Sequence, residues 1–97
     1  MKYDIVYLPI ANRDIIGIDD ALVDYPNKAK RIFQEMDYKV TDLEEMPLMW
    51  PVYQAKPEYR RMILEDHLLF YKVDESRQKV RIYRILYDRM NILEHLE

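Results

Sequence analysis

The sequence predicts an α+β domain in which a short strand and two helices precede a three-stranded antiparallel sheet. Two observations carry this prediction. Apolar residues recur at helical spacing in the first half of the chain, and three β-type runs follow one another in the second half. With 97 residues, 49% of them hydrophobic, the chain is long enough for one modest core. We therefore expect a single domain over residues 1–97.

The opening strand and first helix are predicted from residues 3–23. Residues 3–8 are rich in β-forming side chains, and we expect Pro9 to end this strand. A helix should then start at Ala11, because apolar residues recur every three or four positions from there. They are Ala11, Ile15, Ile18 and Leu22. Residues 24–27 interrupt the pattern, since proline cannot continue a helix but is favoured at the start of the next.

The second helix is predicted over about residues 26–43. Its apolar stripe consists of Ala29, Ile32, Phe33, Met36, Val40 and Leu43. The short connection makes the two helices an antiparallel hairpin. A loop with three prolines follows over residues 44–57. We expect its large side chains to pack under the helices or beside the sheet: Met46, Leu48, Met49, Trp50 and Tyr53.

A strand meander is predicted for the last third of the chain, from β-type runs at 59–65, 68–73 and 80–86. The connections are the polar segments 66–67 and 74–78, and residues 90–96 should add a last helical turn or two. Strand alternation would place Arg60, Lys72 and Arg84 on one face, amid Met62, Leu64, Leu68, Phe70, Val80 and Ile82. The better core face would then hold Ile63, Leu69, Tyr71, Val73, Tyr83 and Ile85. A one-residue slip in register would invert this assignment.

Composition excludes several classes of site. Gly17 is the only glycine, so a glycine-rich phosphate loop is excluded. There is no cysteine, which excludes disulfides and thiolate metal sites, and two histidines are too few for a metal cluster. We expect no cofactor and no metal. No segment approaches the length of a membrane span, and we expect a cytoplasmic protein without membrane contact.

The charge distribution argues against a nucleic-acid-binding protein. Net charge is −3 at pH 7. Residues 1–55 hold six Lys/Arg against ten Asp/Glu, a balance of −4, and residues 56–97 hold nine against eight, a balance of +1. Binding through phosphates usually needs a strongly basic face. A basic character is therefore only local, on the predicted strands.

Four segments match one family in order and spacing. The first is Tyr-Leu-Pro-Ile-Ala at 7–11 followed by Asp14-Ile15, and the second is Leu-Glu-Glu-Met-Pro at 43–47. The third combines Tyr59-Arg60 with Leu-Phe-Tyr-Lys-Val-Asp at 69–74, and the fourth is Arg-Ile-Leu-Tyr-Asp-Arg-Met-Asn at 84–91. Together they resemble the RelE/ParE family of bacterial toxins from type II toxin–antitoxin modules. The resemblance covers almost the whole chain and implies the RelE/ParE-like form of the α+β fold.

The resemblance leaves two activities open. RelE-like members cleave messenger RNA on the ribosome, whereas ParE-like members bind and inhibit DNA gyrase. In this chain Tyr87 stands where many members have His, Met90 where a second Arg is common, and Asn91 where Asp is usual. The acidic balance and these replacements favour a ParE-like toxin of a plasmid-stabilisation module. The alternatives are a ribosome-dependent mRNA endonuclease and an orphan toxin fold without activity.

The family also implies partners and site residues. A cognate antitoxin would lay an extended or helical tail over the toxin in a hetero-oligomer. We expect the partner-binding residues to be Ile16, Val23, Arg60, Lys72 and Arg84. For RNA cleavage the candidates are Arg60, Tyr87 and Arg89; an alternative role for Arg60 is an ion pair with Glu65 or Asp88.

Four further positions have simpler expected roles. His67 falls in a predicted turn, and we expect it to be exposed and without a role, although a histidine can act as a general base near neutral pH. The acidic patch Asp19, Asp20 and Asp24 could meet a basic antitoxin segment, or be a solvated helix face.

Overall fold

A computed structural model describes residues 2–96. Its elements are β1 (Asp4–Tyr7), α1 (Pro9–Ala21), α2 (Pro26–Asp42), β2 (Arg60–Leu64), β3 (His67–Asp74), β4 (Lys79–Tyr87) and α3 (Ile92–His95). The predicted order of a strand, two helices and a three-stranded meander is confirmed.

The four strands form one mixed sheet in the order β1-β4-β3-β2. The meander β2-β3-β4 is antiparallel, whereas β1 joins β4 in parallel, with Asp4 opposite Lys79 and Tyr7 opposite Ile82. The first strand of the chain therefore completes the sheet beside the last.

The two long helices, α1 and α2, both start at a proline. In α1 this is Pro9, two residues earlier than predicted, because extended Leu8 serves as the N-cap and proline is preorganised for the first helical position. In α2 it is Pro26, as predicted. The predicted stripes face the core, although Phe33 is only partly buried.

Two hydrophobic clusters cover the two faces of the sheet. The main cluster packs the helices against the sheet residues Met62, Leu64, Leu69, Tyr71, Val80, Ile82 and Ile85. The second cluster covers the opposite face and joins Tyr59, Phe70 and Leu86 to Ile92 and Leu96 from the C-terminal segment. Each face of the sheet is at least partly covered, and both faces therefore carry buried apolar side chains.

The face assignment expected for β2 is wrong by one residue. Arg60 lies opposite Tyr71 and Met62 opposite Leu69, so Met62 and Leu64 are fully buried under the helices. Ile63, expected in the core, is 44% exposed. Arg60 thus does not share a sheet face with Lys72 and Arg84.

A β-bulge changes the alternation in β4. Arg84 lies opposite Phe70 and Ile82 opposite Tyr71, which leaves Tyr83 as the extra residue of β4. Tyr83 therefore joins the second cluster instead of the main core, where it was expected.

The loop between α2 and β2 is only partly packed. Trp50 and Tyr53 contact the two clusters, as expected, but Met46, Leu48 and Met49 are exposed. Backbone hydrogen bonds hold the second half of the loop beside β2: Arg61 N donates to Pro51 O (3.0 Å) and Tyr53 N to Tyr59 O (2.8 Å).

Candidate functional site

The three candidate catalytic residues do not come together. Arg60 starts β2 opposite Tyr71, and Tyr87 ends β4 opposite His67. Since Tyr71 and His67 are four residues apart on β3, Arg60 and Tyr87 are about 13 Å apart along the strand direction alone. Arg89 lies in the exposed turn after Tyr87. Arg60 is therefore at one end of the sheet, and Tyr87 and Arg89 are at the other.

Arg60 is bound by main-chain oxygens. Its Nη1 donates to Trp50 O (2.7 Å) and Leu48 O (3.2 Å). Glu65, one suggested ion-pair partner, pairs instead with Arg31 at 3.0 Å. Carbonyl oxygens carry no formal charge, so these contacts orient the Arg60 guanidinium without neutralising it.

Lys72 is held between two aromatic rings. Its Nζ lies 4.7 Å from the ring centroids of both Tyr59 and Tyr83. Such cation–π contacts fix the ammonium group but leave its positive charge in place.

Arg60 and Lys72 line one groove of about 580 Å³. We call it the Arg60–Lys72 groove; its walls include Leu48 and Val52, both exposed, and Tyr83. It thus combines two oriented cations with exposed apolar surface, and its lining also includes the carboxylates of Glu58, Asp74 and Glu75.

The carboxylate of Asp74, at the rim of this groove, is engaged in hydrogen bonds within the chain. Its carboxylate accepts hydrogen bonds from Arg81 (3.0 Å), Ser76 Oγ (2.8 Å) and Arg77 N (3.1 Å). These hydrogen bonds, of which the one from Arg81 has the largest effect, hold the pKa of Asp74 well below its ordinary value. Arg81 is therefore paired with a carboxylate, whereas neither Arg60 nor Lys72 forms an ion pair within residues 2–96.

Arg84 is also compensated. Its Nε and Nη2 donate to the two carboxylate oxygens of Asp14 at 2.8 and 3.0 Å, and its Nη1 donates to His95 O at 2.8 Å. The hydrogen bond to Asp14 raises the pKa of Arg84. This residue ties α1 to β4 and is poorly placed to bind a partner's carboxylate.

His67 is buried, which contradicts the expectation of an exposed turn residue. The hairpin turn is Glu65-Asp66, so His67 pairs with Leu64 as the first residue of β3 and is only 7% exposed. Its Nδ1 lies 2.9 Å from Asp66 Oδ1, and its ring centroid lies 5.6 Å from that of Tyr87. An aspartate on Nδ1 favours the tautomer that leaves Nε2 as an acceptor.

Asp66 is shared between His67 and Lys28. Lys28 Nζ donates to Asp66 Oδ2 at 2.6 Å. Burial alone would raise the pKa of Asp66, but the hydrogen bonds from Lys28 and His67 outweigh it and lower this pKa. The cluster lines a groove of about 440 Å³ beside α1, together with Ile18, Tyr87 and Met90. An aspartate in the turn, directly followed by a histidine at the start of the next strand, was the sequence signal for this site.

Of the two predicted apolar contact residues, Ile16 lies in the second half of α1 and Val23 in the turn between the helices. Ile16 and Val23 are 62% and 72% exposed, and the neighbouring Tyr25 is 63% exposed. We call residues 16–25 the helical tip. Lys28 and Asp66 hold it next to the β2–β3 turn, whereas the Arg60–Lys72 groove lies by the β3–β4 turn. The predicted partner-binding residues therefore occupy separate places: the tip, the groove, and the Asp14–Arg84 pair.

Two kinds of feature are absent from residues 2–96. No helix there has the length and apolar character needed to cross a membrane. In the same range, no three His, Cys, Asp or Glu side chains are grouped so that they could hold a metal ion.

Comparisons with known proteins agree with this fold. The toxin of the chromosomal ParDE system of Pseudomonas aeruginosa is similar over 89% of this chain and 96% of its own, with a TM-score of 0.72 and 21% identity. The Mycobacterium tuberculosis RelBE2 complex is similar over 90% and 99%, with a TM-score of 0.64 and 17% identity. A chain of the Escherichia coli DinJ–YafQ complex is similar over 90% of this chain and 93% of its own, with a TM-score of 0.60 and 21% identity. At these identities the likeness shows the fold alone.

Sequence comparison gives the family. No protein of curated function matches the chain. The family model of the ParE toxin of the type II toxin–antitoxin system parDE matches residues 5–92, which includes both long helices and all of the sheet except the first residue of β1. The chain belongs to the ParE toxin family of type II toxin–antitoxin systems.

Proposed function

We propose that this ParE-family toxin acts in the cytoplasm by binding and inhibiting a target protein such as DNA gyrase, and that a cognate antitoxin neutralises it. The main support for target binding, as opposed to RNA cleavage, is the distance that separates Arg60 from Tyr87 and Arg89. RNA cleavage needs a proton acceptor, a proton donor and cations around one phosphate. A set spread over two ends of a sheet does not surround one phosphate.

Target binding is tested by inducing the toxin in cells and measuring DNA supercoiling and messenger RNA integrity. We expect supercoiling to fall while transcripts stay intact, and purified toxin to inhibit purified gyrase. Cut transcripts with unaffected gyrase would contradict this mechanism. No effect on growth after induction would instead favour the inactive orphan fold.

We place the antitoxin's anchor in the Arg60–Lys72 groove. The P. aeruginosa and M. tuberculosis neighbours come from ParDE and RelBE2 toxin–antitoxin systems, which supports an antitoxin partner. The groove offers two cations that form no ion pair among the described residues, beside exposed Leu48 and Val52. An antitoxin segment with a carboxylate next to an apolar side chain matches this chemistry.

Reversal of both groove charges tests the anchor. Arg60→Glu with Lys72→Glu should weaken the toxin–antitoxin complex by at least about tenfold, mainly through faster dissociation. The matched control is Lys2→Glu with Lys30→Glu, two exposed lysines outside the groove. Equal antitoxin affinity of a folded Arg60/Lys72 variant and wild type would overturn this placement. Arg84 is unsuitable for the test, because its reversal would break the contact with Asp14.

The Asp66–His67 pair favours a second candidate, a ribonuclease. His67 could act as a base, Tyr87 as a proton donor, and Lys28 beside them could neutralise a phosphate. Tyr87→Phe removes only a hydroxyl, and under the binding mechanism it should leave toxicity nearly intact. The same holds for His67→Gln if the protein stays folded, with His95→Gln as control. Loss of toxicity together with loss of cut transcripts in both folded variants would establish the ribonuclease in place of the binding mechanism.

A further inference from the structure

We infer that the helical tip is the surface that docks onto the target, and that it fits a basic protein surface with an apolar pocket. This inference rests on the proposed binding of a target protein. It adds the docking surface and the chemistry of the partner.

The tip exposes large apolar side chains that the fold does not use. Ile16, Val23 and Tyr25 are 62%, 72% and 63% exposed. Single exposed apolar residues are common on protein surfaces, but these three lie within ten residues of one another. Ile16 lies in the second half of α1, one turn before Asp20, and Val23 and Tyr25 follow in the connection after the helix. The segment therefore exposes apolar side chains interspersed with exposed aspartates.

The same segment is strongly acidic. No lysine or arginine occurs between Arg13 and Lys28, while this interval holds four aspartates. Asp14 is bound to Arg84, but Asp19, Asp20 and Asp24 are exposed and form no ion pair within residues 2–96. A partner with lysine or arginine around an apolar pocket complements this surface, whereas an acidic antitoxin segment does not.

The tip is preorganised. Backbone hydrogen bonds run from Leu22 N to Ile18 O (3.0 Å), from Val23 N to Asp20 O (3.3 Å) and from Tyr25 N to Leu22 O (2.8 Å). The Lys28–Asp66 contact fixes the start of α2 against the sheet. Docking therefore orders few additional groups, which favours binding.

The tip and the Arg60–Lys72 groove are far apart. The β2–β3 turn beside the tip and the β3–β4 turn beside the groove lie at opposite ends of β3, an eight-residue strand about 23 Å long. Variants of one surface can therefore be tested without disturbing the other.

Binding of purified DNA gyrase by the full-length toxin tests the inference. One variant combines Asp19→Asn, Asp20→Asn and Asp24→Asn; the other combines Ile16→Ser and Val23→Ser. We expect each to weaken gyrase binding by about tenfold or more while antitoxin affinity stays at the wild-type value. Wild-type binding should also weaken as salt rises, and the triple Asn variant should show a smaller dependence.

The matched controls change equally exposed residues on α2 and the following loop. They are Asp37→Asn with Asp42→Asn and Glu45→Gln for charge, and Tyr38→Ser with Met46→Ser for apolar surface. These variants should bind gyrase like wild type.

Growth inhibition provides a readout that does not depend on the identity of the target. If wild type binds gyrase and the tip variants bind equally well, the tip inference is overturned and the proposed function stands. If wild type inhibits growth without binding gyrase, gyrase is the wrong target; loss of inhibition in the tip variants then supports the tip, and its retention overturns it. A wild type that neither binds nor inhibits overturns both.

Discussion

At the scale of single residues, the carboxylate of Asp14 links three parts of the fold. Its carboxylate accepts two hydrogen bonds from Arg84 and a third from the backbone of Ile85 at 2.9 Å. Through Arg84 Nη1 the network continues to His95 O. Both side chains of the pair are largely buried. One carboxylate thus joins the first helix, the last strand and the C-terminal segment.

Replacement of Asp14 should be severe. Asp14→Ala leaves the buried Arg84 guanidinium and the Ile85 amide without their acceptor, and we expect a loss of about 3–5 kcal/mol in the free energy of unfolding. The control Asp20→Ala, on the exposed side of the same helix, should change it by less than about 0.5 kcal/mol. Urea unfolding measures both. A loss below about 1 kcal/mol for Asp14→Ala would show that the pair contributes little.

Gly17 should tolerate and favour a larger residue. A Cβ atom added at Gly17 would meet no atom within 4 Å, and the position lies inside α1. Gly17→Ala should therefore raise the free energy of unfolding by about 0.5–1 kcal/mol, because alanine loses less backbone entropy in a helix. A lower thermal midpoint for this variant would contradict the open environment of this position.

At the scale of elements, the β3–β4 turn is held by the hydrogen bonds to Asp74. Since its pKa is lowered in the folded state, the contribution of Asp74 to stability is fully present above its unfolded pKa of about 3.9. It is lost as pH falls through the folded pKa. Asp74→Asn should therefore be less stable than wild type near neutral pH and approach it in strong acid. A stability difference that stays constant from about pH 7 to pH 2.5 would contradict this role.

The helices could be predicted from the sequence and the sheet faces could not, for physical reasons. The stripe from Ala29 to Leu43 has one apolar side, so the period alone identifies the buried face. In β2 and β3 both sides are apolar: Met62 packs under the helices, and Phe70 is buried by the C-terminal segment. The alternation of side chains then does not identify which face packs against the helices. In β4 the bulge at Tyr83 additionally shifts the alternation by one residue.

The candidate site was predicted least well, because its contacts are long-range. The sequence gives the adjacency of Asp66 and His67, but not the contact with Lys28, which is 38 positions away. It likewise contains no sign that Asp14 compensates Arg84 across 70 positions. The exposure of Ile16 and Val23 followed from their positions off the helical stripe and agrees with the structure.

At the scale of the whole molecule, the charges are separated. The described residues extend 42 × 28 × 22 Å. The helical tip carries three exposed aspartates by one end of β3, whereas Arg60 and Lys72 lie by the other, in a groove that Glu58 and Glu75 also line. A molecule of net charge −3 thus has an acidic surface at one end and a groove of mixed charge at the other.

This separation predicts that antitoxin binding and neutralisation can be uncoupled. An extended antitoxin peptide needs about seven residues to run the 23 Å from the groove to the tip. A shorter peptide that fills only the Arg60–Lys72 groove should bind the toxin but leave its inhibition of the target intact. The full-length antitoxin should do both. The measurement is gyrase inhibition at saturating peptide, and complete protection by the short peptide would contradict the two-surface arrangement.

The parallel pairing of β1 with β4 has a consequence for timing during protein synthesis. Residues 8–78 lie between the two strands, and a bacterial ribosome needs about 4–14 s to add these 71 residues at roughly 5–20 residues per second. Until β4 emerges, β1 lacks its neighbour, α1 lacks the strand on which it packs, and Asp14 lacks Arg84. We therefore expect the nascent chain to be harmless until its last strand is made. An antitoxin translated alongside it has that interval in which to be ready.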